Sequence, residues 1–346
     1  MSRGERVGAV EVAGGSPGLK SGKALYDWGF LAKGIAIVLV VAGHFQPTWA
    51  PVEWLRIVKI IYQFHIPAFF LVAGLFHDPT RSLGEILRRK VVRLAVPFFS
   101  VAALFLLVKW VSGLFVPLDR PVNLETVSAL FLQPKVSFAP FLWFLMSLTV
   151  VFIAHPLLLL LFRRPWLVFL VALGIRIAPF REIPSVELLV NELPWFALGV
   201  ALRPNIPWLM GRSLLLMGGT LAVFVLANLP FARAIVSPIG HGSTLLQGVS
   251  GGLFVVFLSM WWERSESPGI VFRWVRHCGE ASMVVYILHT PFQSAVRILC
   301  AKSGIQAVAW GAVFVSTLVG VLCPLWLDRF LLVRFTAIRR VFLGGA

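Results

Sequence analysis

An otherwise apolar stretch of this chain carries Lys33 and, eleven residues later, His44. On one helix the two would lie ~16 Å apart along the axis. A second apolar stretch carries Tyr62, Gln63 and His65 just before Pro67. Ionisable groups at such positions are costly in hydrocarbon and tend to face a cavity or a partner. Imidazole is the side chain most suited to proton transfer near physiological pH. Plainer readings stand beside this one: Lys33 snorkelling to an interface, His44 as an interfacial residue, His65 as a hydrogen-bonded structural group. Further on, Tyr286, His289, Gln293 and Arg297 follow at spacings of three, four and four. That pattern puts all four on one helix face, as a cavity lining or as interhelical hydrogen bonding. Glu192, between Asn191 and Pro194, needs a counter-charge in such surroundings, with Lys33, Arg176, Arg297 or a histidine as the expected partner. Finally, Arg88-Arg89-Lys90-Val-Val-Arg93 is a basic cluster beside an apolar run. Such a cluster serves as a topology signal, a lipid headgroup contact or a grip on phosphates.

The elements that must position these residues follow from composition. Apolar residues make up 58% of 346 positions and charged residues 13%. A soluble domain carries about 25% charge, so too much apolar surface would remain in water. The fold class is therefore an all-α membrane protein, a bundle of about ten transmembrane helices with both termini cytoplasmic. Apolar runs of spanning length fall near 28–48, 57–77, 93–115, 140–161, 165–180, 187–202, 212–230, 244–262, 282–300 and 306–326. The fifth and sixth are short. Pro67, Pro97, Pro194 and Pro291 lie inside runs, which membrane bundles tolerate.

Charge placement sets the direction. With the N-terminus inside, 20 of the 31 lysines and arginines fall on inside segments, five of them between 81 and 93. The net charge of +16 thus reflects topology, and no nucleic-acid motif accompanies it. Residues 1–26 read as a disordered cytoplasmic lead, 27–330 as the transmembrane domain and 331–346 as a short basic cytoplasmic tail. The gap at 116–139 contains a stretch from Asn123 that reads equally as an amphipathic helix on the outer surface or as an ordered loop. Cys278, Cys300 and Cys323 lack the spacing of a disulfide framework or metal site and are expected to be buried thiols, with no metal bound.

In order along the chain, these segments resemble the acyltransferase-3 family of bacterial membrane O-acyltransferases, in the standalone form without an esterase-like domain. The resemblance rests on Lys33-Gly-Ile-Ala-Ile-Val-Leu-Val-Val-Ala-Gly-His44 with Asp27 upstream, on Phe64-His65-Ile-Pro67-Ala-Phe-Phe70, and on Lys90-Val-Val-Arg93 followed by Pro97. Phe141-Leu-Trp-Phe-Leu145 and Gly279-Glu-Ala-Ser-Met-Val-Val-Tyr286-Ile-Leu-His289 complete it. Lys33 and Lys90 stand where the family has arginine, which keeps the charge and loses the bidentate fork.

The resemblance implies a multi-pass protein of the bacterial cytoplasmic membrane, in contact with lipid. It implies transfer of an acyl group, acetyl by family habit, from cytoplasmic acyl-CoA to a hydroxyl of a carbohydrate or glycoconjugate. Lys33, Arg88, Arg89, Lys90 and Arg93 would hold the donor, and His44 would act as general base. Glu192 would orient or charge-balance it, and His65 and His289 would support the chemistry. Tyr286, Gln293 and Arg297 would line the acceptor path. The competing class is a proton-coupled carrier of an anionic or sugar-linked substrate, which would also need intramembrane His, Glu and Arg.

Overall fold

The computed structural model describes residues 27–115, 121–178, 184–230, 242–264, 269–304 and 309–344. The expected lead, 1–26, lies outside them. Every regular element among the described residues is helical. The principal helices are α1 (Asp27–His44), α2 (Val52–Leu75), α3 (Leu83–Gly113), α4 (Leu124–Leu132) and α5 (Pro140–Phe162). They continue with α6 (Pro165–Ile177), α7 (Pro184–Leu202), α8 (Ser213–Asn228), α9 (Gly242–Glu263) and α10 (Ile270–Glu280). The last are α11 (Ser282–Lys302), α12 (Ala309–Phe330) and α13 (Thr336–Leu343).

Each of the ten expected apolar runs falls on a helix, but the helices are not equivalent. Seven among the described residues are long and apolar enough to cross a membrane: α1, α2, α3, α5, α9, α11 and α12. The chain from Val186 to Gly211 and α8 qualify only as a pair, bent by 112° at Arg212. The remaining helix, α6, has 13 residues, about 20 Å at 1.5 Å per residue, short of the ~30 Å hydrocarbon thickness. The protein is a multi-pass membrane protein. Its exterior matches: Leu107 and Trp110 on α3, Leu160 and Leu161 on α5, Leu215 on α8 and Phe314 on α12 are exposed, as lipid-facing side chains must be.

At the centre stands α1, against α2, α9, α10, α11 and α12. Its run of Gly, Ala, Val and Ile buries Trp28, Leu31, Ala32, Ala36, Ile37, Val40 and Val41. Small residues let backbones approach where no hydrophobic effect drives helices together. The closest approach is between α1 and α10. A Cβ on Gly34 would fall 1.9 Å from the Val275 carbonyl oxygen, and one on Gly279 would fall 1.8 Å from that of Phe30. Arg276 reinforces the contact, bonding Asp27 at 3.2 Å and Glu280 at 3.1 Å. Gly34→Ala and Gly279→Ala are each expected to cost about 1–3 kcal/mol through forced separation of the two helices. Gly84→Ala, with open space around it, serves as control. Thermal size-exclusion profiles check this, and a Gly34→Ala protein as heat-stable as the control would contradict it.

The stretch from Asn123 is a helix, α4. Its capping box explains why: Asn123 Oδ1 accepts from the Thr126 amide at 2.8 Å, while Thr126 Oγ1 accepts from the Asn123 amide at 3.1 Å. The segment expected as a tail outside the domain contains α13, which packs on α3 and buries Leu343. Gly344 ends it in the left-handed region (φ 71°), where a Cβ would meet the Arg93 carbonyl oxygen at 2.2 Å. Leu343 and Gly344 thereby join the wall of the main cavity. Cys278 is buried as expected, but Cys300 and Cys323 are only partly so.

Candidate active site

One cavity of about 890 Å³ runs through the bundle beside α1. Lys33 and His44, near opposite ends of that helix, both line it, as do residues of α2, α3, α5, α6, α7 and α11. Pro67 contributes to the wall on α2. Its ring carries no N–H, so the carbonyl of Gln63, one turn earlier, lacks its helical donor beside the cavity.

At one end lie His44 and His65 in the wall, with a third histidine, His289, buried beside His44 and outside the wall. Each presents Nδ1 to a carbonyl of its own helix: His44 to Val40 at 2.7 Å, His65 to Ile61 at 2.8 Å and His289 to Tyr286 at 2.7 Å. A carbonyl only accepts, so Nδ1 carries the proton in every case and Nε2 is the basic atom of the neutral ring. The three then differ. His289 is fully buried and has Thr290 Oγ1 3.3 Å from its Nε2; His65 is 5% exposed. His44 is exposed, and the surface it exposes lines the cavity. Its ring meets His289 edge-on, with centroids 5.0 Å apart.

The end of α1 is clamped around His44. Tyr62 donates from its hydroxyl to the Gly43 carbonyl at 2.9 Å, and Gln46 Nε2 donates to the same carbonyl at 2.7 Å. Trp54 Nε1 holds the Phe45 carbonyl at 2.9 Å. Tyr286 donates from its hydroxyl to the Phe141 carbonyl, joining two of the segments that carry the resemblance.

Towards the other end of α1, Lys33, Lys90 and Arg93 line the same cavity, with Glu280 as counter-charge. Lys33 rests over the Phe30 ring at 4.4 Å and Lys90 over Phe152 at 5.7 Å. The basic segment lies in a π-turn, Leu87–Val91, one turn into α3, a form often found at functional positions. Lys90 and Arg93, three residues apart, both reach this cavity, whereas Arg88 and Arg89 do not. Arg88 is exposed and lines neither cavity described here. Arg89 pairs with Glu85 at 3.4 Å and lines a second cavity of about 770 Å³.

That second cavity meets the first at Phe76 and Lys90. Its other cations are held by carboxylates: Arg203 bonds Asp78 at 3.2 Å, and Arg81 bonds Asp78 at 3.5 Å and Glu85 at 3.6 Å. Asp78, in the turn after α2, is held down to a pKa of about 2, chiefly by the Thr80 hydroxyl at 2.8 Å, with the Thr80 amide and Arg203 adding to it. The fold thus favours the carboxylate. The stabilisation is whole above the ordinary Asp range near pH 4 and is lost as pH falls through about 2. Asp78→Asn is expected to flatten the acid sensitivity of the thermal midpoint below pH 4, and an unaltered acid profile would contradict this network.

Three expectations change. Arg297 is exposed, so the polar stripe on α11 ends one turn early: its long side chain sits near the helix end, where it reaches an interface. Gln293 is buried but donates to the Val41 carbonyl at 2.7 Å; it ties α11 to α1 and is outside the cavity wall. Glu192 lines the cavity, yet among the described residues it forms no ion pair or hydrogen bond with Lys33, Arg176, Arg297 or a histidine, and its Oε2 is buried without a partner. Arg176 is the charge that bears on it most, but its Nη1 bonds Asn191, at 2.6 Å to the carbonyl and 2.9 Å to Oδ1.

Some lining residues escaped the sequence reading. Lys59 precedes Tyr62 and Gln63 by three and four residues, a one-face pattern that was there to be read. Trp195, under the Arg176 guanidinium at 4.9 Å, carried no signal beyond its neighbour Pro194. His77, in the wall of the second cavity, and His155, buried behind it with rings 5.5 Å apart between Phe152 and Phe196, are too far apart in sequence for any spacing to link them.

Comparison with known proteins bears on the whole domain. The family model for the acyltransferase domain of type 3 matches residues 30–329, which takes in α1 through α12 apart from the first residues of α1 and Phe330. No curated protein and no solved structure matches the chain.

Proposed function

The chain belongs to the acyltransferase-3 family, and from that membership we propose that it moves an acetyl group from acetyl-CoA to a hydroxyl of a carbohydrate or glycoconjugate. The observation that carries this reading is one cavity lined by both the cations Lys33, Lys90 and Arg93 and the exposed base His44. The seven spanning helices, with the bent pair and α6 packed among them, would be embedded in a bacterial cytoplasmic membrane with both termini inside, which sets the basic end towards the compartment where acyl-CoA is made.

In this reading Lys90, Arg93 and Lys33 take the donor's phosphates at the basic mouth, and the pantetheine arm lies along α1 with its thioester beside His44. An acceptor hydroxyl attacks the thioester carbonyl carbon as His44 Nε2 removes its proton. The tetrahedral adduct collapses with cleavage of the carbon–sulfur bond. The thiolate leaves and takes the proton from the imidazolium, giving an O-acetyl ester and free CoA. The Val40 carbonyl holds the His44 tautomer and supports the positive charge that forms during the step. His65 contributes to the wall, and His289, fully buried with its ring edge-on to His44, keeps the base in place.

The test uses purified protein in nanodiscs with acetyl-CoA. Free CoA appearing at a rate above protein-free discs, together with an acetyl-CoA-dependent thermal shift, is the expected result. Absence of both would overturn the donor assignment and favour a carrier on the same fold.

A further inference from the structure

The part of the cavity wall built by Gln63, Arg176, Asn191, Glu192 and Trp195 belongs to α2, α6 and α7, whereas Lys33, Lys90 and Arg93 belong to α1 and α3. We propose that this wall is the acceptor subsite, and that it takes an uncharged polyhydroxylated group through Glu192 and Gln63. The proposal rests on the acyltransferase reading above and adds the residues and the charge class of the acceptor.

Two buried oxygens in this wall have no donor: Glu192 Oε2 and Gln63 Oε1. Both are acceptors, and a buried acceptor left unmade is costly, most of all on a carboxylate. What is missing is therefore an O–H or N–H donor, the complement a hydroxylic ligand supplies. The Arg176 Nη1 and Asn191 groups of this wall are tied into a brace. Arg176 bonds Asn191, Asn191 Nδ2 donates to Glu187 at 3.3 Å, and Glu187 pairs with Lys135 at 2.6 Å. Trp195 is 2% exposed and supports the Arg176 guanidinium. These bonds tie α6 to α7 beside the wall, and Glu192 Oε2 and Gln63 Oε1 are left buried without a donor.

Charge narrows the ligand. Among the described residues lining the whole cavity, Lys33, Lys59, Lys90, Arg93 and Arg176 are cationic and only Glu192 and Glu280 anionic. That excess of positive charge disfavours a cationic acceptor such as an amino sugar. An acidic sugar would meet the Glu192 carboxylate at the one place where donors are wanted. A neutral sugar satisfies both oxygens without either conflict.

Three probes of one shape and different charge test this in nanodiscs: methyl glucoside, glucosamine and glucuronate, each with acetyl-CoA. Methyl glucoside is expected to accelerate CoA release, and the charged sugars several-fold less. Glu192→Gln and Gln63→Leu are each expected to raise the KM for methyl glucoside about tenfold, the loss of one strong hydrogen bond, with the KM for acetyl-CoA unchanged. Having two variants on different helices guards against a folding defect in one. A sugar KM unaltered in both overturns the subsite. So does a wild type blind to all three probes while it still responds to acetyl-CoA. A wild type stabilised by methyl glucoside, in a manner lost in Glu192→Gln, but unresponsive to acetyl-CoA would uphold the subsite and overturn the donor reading instead.

Discussion

Replacing His44 with alanine is expected to lower acetyl transfer by about two to four orders of magnitude, the usual contribution of a positioned general base. Binding of acetyl-CoA, read as a thermal shift, should persist, because the cations expected to hold the donor lie towards the other end of α1. The size of the effect follows from a difference among the three histidines. All present Nδ1 to a backbone carbonyl, so tautomer does not separate them. Access does: His44 exposes its ring to the cavity, while His65 and His289 are buried. His289→Asn, which alters only the ring packed edge-on against His44, is expected to act through position and cost about tenfold. Normal turnover by a well-folded His44→Ala protein would sink the assignment of the base.

The second large effect is expected at the basic mouth. Neutralising Lys90 and Arg93 together, as Lys90→Gln with Arg93→Gln, should raise the KM for acetyl-CoA by about ten- to a hundredfold. Each charge-assisted hydrogen bond to a phosphate is worth about 1.5–3 kcal/mol, and some of that returns through Lys33. Two features separate this from a general loss of charge. Arg88→Gln, at an exposed position outside both cavities, should leave KM unchanged. The wild-type KM should rise with ionic strength, and the double variant should have lost most of that dependence. Lys90→Arg restores the paired donors that lysine lacks and is expected to lower the KM. An Arg88 variant as impaired as the double variant would reassign the whole cluster to topology or lipid contact.

What could be read in advance was what depends on near neighbours in the chain. Hydropathy located the ten apolar runs that became helices, because apolar composition is local to each run, but it did not tell the seven that are long enough to span from the rest. Lys33 and His44 could be placed along one axis because helical rise is constant. The helix after Asn123 was legible as one of two readings, and local capping decided between them. The Tyr286–His289 pair could be placed on an inward face, since a three-residue spacing fixes relative direction on any helix.

Only the tertiary structure could decide what depends on distant segments. Periodicity put Arg297 on the stripe, but whether its side chain is enclosed is a property of the bundle, and there it is exposed. Gln293 was readable as polar lining until the Val41 carbonyl stood opposite it. Glu192 was expected to be neutralised; the fold instead turned Arg176 towards Asn191 and left Glu192 Oε2 buried without a partner. The 112° break between α7 and α8 and the docking of α13 against Arg93 are likewise set by packing. The sequence by itself determined the class of protein, the order of its helices and the chemistry available to it, because those follow from composition and from spacing within one element. Which of those groups share a single cavity was decided by the contacts of α1 with helices up to three hundred residues away, and no local pattern carries that information.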